Sequence, residues 1–180
     1  MTYELIDPNE PILQEVLPDI TFEELKEKFE LEPRELFDNL SKTMIKYKGI
    51  GLSANQCGLA IRAFVMMTDL DKKAATIFFN PKITNTSEET ELFVEGCLTY
   101  PNLFLNIRRP KQISFEFMDV NGEQRQAQFS GITARIFQHE NEHMNGYVFT
   151  DLVSKFKLKR AEEARKKMVK KFAREGVITK

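Results

Sequence analysis

The sequence predicts an α+β fold in which antiparallel sheets wrap around a central helix, with a further, basic helix at the end of the chain. Three observations predict it. Helical signals stand at both ends of the chain, segments dense in Phe, Ile and Val fill the middle, and Asn121-Gly122 offers a tight hairpin between two of those segments.

The elements follow in order. Thr21 with Glu24 three residues later makes a capping-box pattern, which opens a short helix that should stop before Pro33. Pro33 suits the first turn of a longer helix, in which Leu36, Phe37, Leu40, Met44 and Tyr47 recur at helical spacing, and Gly49 is placed to end it in a left-handed conformation. AIRAFVMM (60–67), TIFFNP (76–81), ELFVEGCL (91–98) and QISFEFMDV (112–120) read as strands. Asn121-Gly122 then turns the last of these into EQRQAQF, with positive φ expected at both turn residues. Ser130 reads as the N-cap of a helix over about 131–145 that Gly146 ends, and a last helix is expected over about 154–175.

Composition narrows the class. A chain of 180 residues can bury one substantial core, so residues 1–180 read as one domain that includes the basic C-terminal helix. No apolar run approaches the roughly 18 residues of a membrane span. The opening MTYELIDPNEP is acidic where an export signal would be basic and then apolar, which points to a cytoplasmic protein with two free thiols. The net charge of −1 conceals a division, since residues 155–180 hold 11 Lys and Arg against three Glu, a net of +8, leaving −9 for residues 1–154.

Both histidines of the chain lie in QHENEHMNG (138–146). Ile132, Ile136, His139, Glu140 and His143 are three or four residues apart, so on a helix they share one face, and its apolar start directs it inward. Buried His and Glu need partners, and a metal ion would supply one. Two His at i and i+4 can bind a single ion, and the Glu between them can act on a water held by that ion. A chance pentapeptide on a solvated helix is the bland alternative, disfavoured because the motif uses every His in the chain. No third His exists, so the third ligand must be Cys or a carboxylate. Cys97, at the end of a predicted strand between Gly96 and a turn-forming Pro101, is the candidate; Cys57 reads as a small buried residue.

GIGLSANQ (49–56), EGCLT (95–99) and QHENEH (138–143), in this order and spacing, resemble the three motifs of the peptide deformylase family, and the resemblance spans nearly the whole chain. It implies hydrolysis of the N-formyl group from the initiator methionine of nascent polypeptides, with release of formate. By the same resemblance Cys97, His139 and His143 bind one divalent metal, Glu140 is the catalytic acid and base, and Gln56 with the Leu98 amide stabilises the oxyanion. Ferrous iron is the implied native metal, with Zn²⁺, Ni²⁺ or Co²⁺ able to substitute. Ile50, Phe93, Ile132 and Ile136 match the methionine pocket, with Arg135 at its rim, and Glu95 falls among the substrate-binding positions. Gly51 and Gly96 are expected to let backbone approach the peptide closely.

Three positions depart from the pattern: Thr99 stands where Ser is usual, Glu142 where Asp is usual, and Phe104 near a substrate-contacting Arg of many bacterial members. Arg108 and Arg109 are the nearby cations available to compensate. The resemblance also implies ribosome contact through the basic helix, set against the plainer reading of a solvated helix docked by Leu158, Ala161, Met168, Val169 and Phe172. Two other functions compete: a zinc endopeptidase, which leaves GIGLSANQ and EGCLT unexplained, and a catalytically silent ribosome-associated relative with a structural metal, which would need neither Glu140 nor Gln56. Membrane and DNA partners are not expected.

Overall fold

The computed structural model describes residues 1–174. Four α-helices, α1 (Phe22–Phe29), α2 (Pro33–Lys46), α3 (Gly131–Met144) and α4 (Lys155–Arg174), accompany seven strands: β1 (Gly51–Ser53), β2 (Ala63–Asp69), β3 (Ala74–Thr86), β4 (Thr90–Cys97), β5 (Tyr100–Pro110), β6 (Gln112–Met118) and β7 (Gln124–Ser130). All pairing is antiparallel. One sheet has the order β1-β2-β3-β6-β7, and β4 and β5 form a separate hairpin sheet. Helix α3 makes contacts with β1, β2, β5, β6 and β7, so the two sheets enclose it as the sequence predicts.

Local chemistry accounts for most boundaries. Thr21 and Glu24 form the reciprocal capping box that starts α1, and Pro33 occupies the first turn of α2. Leu36, Leu40 and Met44 are fully buried against Leu52, Val65 and Phe79, whereas Phe37 and Tyr47 are only half-buried. A second cluster joins Phe64, Met66, Phe78, Ile113 and Phe115 to Ala134, Ile136 and Phe137, fixing α3 on the five-stranded sheet.

Several expectations needed correction. Helix α2 ends in a left-handed residue, but it is Lys48 (φ 58°) rather than Gly49. Gly49 instead lies against Leu98, where a Cβ would come within 2.6 Å of Leu98 Cδ1 and that side chain would have to shift. Only Gly122 of the Asn121-Gly122 pair has positive φ (84°); Asp119 Oδ1 accepts from the Asn121 and Glu123 amides and holds a five-residue loop in place of the tighter turn. Ser130 precedes α3 in an extended conformation without a side-chain cap, because β7 runs straight into the helix and Gly131 (φ 60°) makes the bend. Pro101 does not turn the chain away from Cys97 but lies inside β5, the strand the sequence reading omitted. The predicted end of the last helix at Glu175 lies outside the described residues, within which no helix is long and apolar enough to cross a membrane.

Candidate active site

Three segments meet in a cleft of about 780 Å³. The first is the turn from Gly49 through the short 3-10 helix Ala54–Cys57, the second the tight Leu98-Thr99 connection between β4 and β5, and the third the middle of α3. From Ala134 to Met144 every residue of α3 is buried except the half-buried Glu142, so this helix is enclosed all round rather than along one stripe. Ile132 is correspondingly not a core residue; at 43% exposure it stands at the cleft wall.

The ligand atoms of Cys97, His139 and His143 all lie within 4.8 Å of one another, and Cys97 Sγ is 3.4 Å from His143 Nε2. A carboxylate decides the orientation of His139. Glu95 Oε2 lies 3.2 Å from His139 Nδ1, which as a donor to an ionised carboxylate leaves Nε2 free to bind an ion. Burial opposes ionisation of Glu95, yet hydrogen bonds from His139 and Arg109 outweigh it and hold the carboxyl down to about 2. Arg109 Nε and Nη2 donate to Glu95 at 2.7 and 2.9 Å, and the same guanidinium donates to Glu142 at 2.5 and 2.9 Å. Arg135 Nη1 adds a bond to Glu95 and another to the Ile107 carbonyl. Burial likewise resists a thiolate at Cys97, but the charges and hydrogen bonds of His143 and His139 hold this thiol well below its usual value. Cys57 has no such neighbours, and burial pushes it up to about 12, the behaviour of an inert core thiol. Soft sulfur beside two imidazoles is a donor set that suits a divalent transition metal.

Glu140 sits next to this cluster with Oε2 buried and without a hydrogen-bond partner among the described residues, and burial pushes its carboxyl up to about 7. It fits only because residue 51 is Gly, since a Cβ there would fall 2.4 Å from Glu140 Oε1. At Gly96 a Cβ would meet the Phe104 ring at 3.1 Å. Both glycines line the cleft, and each first admits a side chain of the protein itself. Gln56 is fixed at both ends of its amide: Oε1 accepts from the Ser53 amide and hydroxyl, and Nε2 donates to Thr99 Oγ1 at 2.9 Å and Cys97 Sγ at 3.3 Å.

Leu98, Ile50, Gly51, Phe93, Glu95, Gly96, Ile132, Arg135 and Ile136 also line the cleft. Within that group Glu95 accepts from Arg135, Arg109 and His139, and Arg135 donates also to the Ile107 and Glu91 carbonyls, with its guanidinium over the Phe93 ring at 5.6 Å. The compensation expected of Arg108 and Arg109 does not occur. Arg109 is only 3% exposed and consumed by two carboxylates, Arg108 donates to Thr90, and neither lines the cleft, where Phe104 is 58% exposed.

Four residues with a part in this geometry were not singled out as site residues from sequence. Arg109 joins the two carboxylates, Thr99 holds Gln56, Asn55 Nδ2 donates to the His143 carbonyl at 2.8 Å, and Arg165 of α4 lines the cleft. Asn55 and the Thr99 hydroxyl stand inside quoted motifs, and Arg109 falls on the buried, alternate face of β5; those were the signals available.

Comparison with known proteins agrees with this geometry. The family model for polypeptide deformylase matches residues 3–159. A peptide deformylase of Acinetobacter baumannii is 35% identical over 149 residues, covering 83% of this chain and 85% of that protein. The crystal structure of peptide deformylase from Thermotoga maritima superposes with a TM-score of 0.76 at 31% identity, over 86% of this chain and 99% of that one. A peptide deformylase from Synechococcus elongatus, solved in complex with actinonin, gives a TM-score of 0.81 at 27% identity, over 91% and 87%. With its motifs assembled around one cleft and a match of this extent, the chain belongs to the polypeptide deformylase family.

Proposed function

We propose that the chain, acting as one catalytic domain in the cytoplasm, hydrolyses the N-formyl group of N-formylmethionyl nascent peptides and releases formate. The observation that carries this reading is Glu140: an unpartnered buried carboxylate held against Gly51, beside three converging metal-ligand atoms. A site that held metal for stability alone would have no need of it.

Cys97, His139 and His143 would hold one divalent ion, which when bound supplies the Lewis acidity that makes a water nucleophilic near neutral pH. Glu140 takes the proton of the attacking water and delivers it to the leaving amine, a task suited to a carboxyl raised to about 7. The Leu98 N–H, and the Gln56 Nε2–H that points at Cys97 Sγ while the other stays on Thr99, would donate to the oxygen that gains charge as the formyl carbon becomes tetrahedral, a contribution of about 10²- to 10³-fold per donor. Among the described residues the β4 strand pairs only with β5, so its other edge is available for an extended peptide to add main-chain hydrogen bonds. Ile50, Phe93, Ile132 and Ile136 offer the methionine side chain an apolar wall.

Formate release from formyl-Met-Ala-Ser by anaerobically prepared, iron-loaded protein tests the reaction; no release from a metal-filled site would overturn it. On the family resemblance we propose ferrous iron as the resident ion; the thiolate and imidazole donors would also accept Zn²⁺, Ni²⁺ or Co²⁺. The iron-loaded enzyme is expected to lose activity faster in air than under argon, and equal half-lives would count against iron.

Helix α4 is proposed to contact the ribosome. Lys166, Lys167 and Lys170 are exposed on it, while Leu158 and Ala161 dock on the Leu103–Leu105–Ile107 cluster. Truncation at residue 155 would uncover that cluster, so charge reversal of the three lysines is the cleaner test. Reduced and more salt-sensitive co-sedimentation with ribosomes is expected; unchanged sedimentation would contradict the contact.

A further inference from the structure

Helix α4 buries a stripe at alternating steps of three and four: Leu158, Ala161, Arg165, Met168 and Phe172 are its half-buried residues. A guanidinium in the middle of that stripe is out of place for a docking seam. Every other Lys or Arg of α4 among the described residues is exposed, and Arg165 is the one residue of the helix that lines the substrate cleft. Helix α4 is held by β5, whose cleft-lining residues run from Tyr100 to Phe104, so Arg165 enters beside them.

Two other cations line the cleft. Arg135 is committed to Glu95, the Ile107 carbonyl and the Glu91 carbonyl, and Lys48 is exposed on the turn after α2. The cleft-lining acids do not neutralise Arg165 either: Glu95 is bound by Arg109 and Arg135, and no hydrogen bond or ion pair joins Arg165 to Glu140 or to any other described residue. Arg165 is half-buried as a residue and its charge has no acceptor among the described residues, so an oxygen of a ligand entering the cleft beside it meets an uncommitted guanidinium.

We propose that Arg165 is a substrate-binding residue, its guanidinium holding an oxygen of the peptide on the C-terminal side of the formylated methionine, either a main-chain carbonyl or a carboxylate. The C-terminal helix then takes part in affinity for the peptide as well as in docking and charge. This inference rests on the deformylase reading for its substrate.

The test compares the metal-loaded full chain with Arg165→Leu, Arg165→Lys and Lys166→Leu on formyl-Met-Ala-Ser as the free acid and as the C-terminal amide. Leu continues the apolar stripe, so Arg165→Leu should melt no lower than the parent. Its KM should rise about tenfold, the scale of one charge-assisted hydrogen bond, with kcat changed less than twofold. Arg165→Lys should restore part of the affinity, and Lys166→Leu should shift KM less than twofold. A loss confined to the free acid assigns the contact to a carboxylate, and an equal loss on both peptides assigns it to a carbonyl. The same peptides titrated calorimetrically into Glu140→Gln with and without Arg165→Leu give affinity without turnover. If the parent released no formate, the proposed reaction would fall while the calorimetry still judged Arg165. Affinities within twofold of each other, with and without Arg165→Leu, for both peptides would overturn the inference.

Discussion

On one side of α3, Phe137 packs against Phe64, Phe78 and Phe115 with ring centroids 5.1, 5.2 and 4.0 Å away. On the other, Arg135, His139 and Glu142 meet Glu95 and Arg109 of the β4–β5 hairpin through ion pairs. Both regions are buried, but they determine different things. Apolar burial is non-directional and fixes where the helix lies, whereas a hydrogen-bonded carboxylate fixes which nitrogen of His139 is free. The comparison explains why a hairpin so rich in charge packs against a core helix. Its desolvation cost is offset by nearly complete pairing, and the result is an oriented ligand more than added stability.

The largest expected effect falls on a residue that belongs to neither region. Glu140→Gln should lower kcat by about 10²- to 10⁴-fold, with metal content and melting temperature near those of the parent. Retained activity would mean that the acid and base lie elsewhere. Gly51→Ala puts a methyl where Glu140 Oε1 sits, and moving that carboxylate should cost on the order of 10²-fold in kcat with formate release as the readout. Ile132→Phe adds bulk at the exposed cleft wall, away from both packing regions. It should raise KM for formyl-Met peptides about fivefold, the scale of mild overpacking, and leave stability unchanged; an unaltered KM would remove Ile132 from the pocket.

The metal centre was far more legible in the sequence than its support. His139, Glu140 and His143 follow from helical periodicity, and Cys97 from the need for a third ligand. The β5 strand was missed although Leu103, Leu105, Ile107 and Arg109 alternate with Asn102, Phe104, Asn106 and Arg108 as a half-buried strand should; Pro101 and the polar members of the alternation hid the pattern. Without β5 the role of Arg109 was out of reach, since it depends on the register that sets Glu91 opposite Arg109 and Gly96 opposite Phe104. Arg109 therefore read as a cation available to substrate when it is consumed by Glu95 and Glu142. Arg165 required knowledge of which face of α4 docks, and local periodicity could not show what that face would meet.

The division of labour across α3 is tested most directly by comparing Phe137→Ala with Arg109→Met in thermal melts and in metal titrations of the folded proteins. Phe137→Ala should cost about 3–5 kcal/mol of stability while the folded fraction binds metal with parental affinity. Arg109→Met leaves Glu142 without its partner and Glu95 with only Arg135 and His139, so it should destabilise by a similar amount and also weaken metal binding about 10- to 100-fold. Equal metal affinities in the two variants would contradict the claim that the ion-pair network orients the ligands.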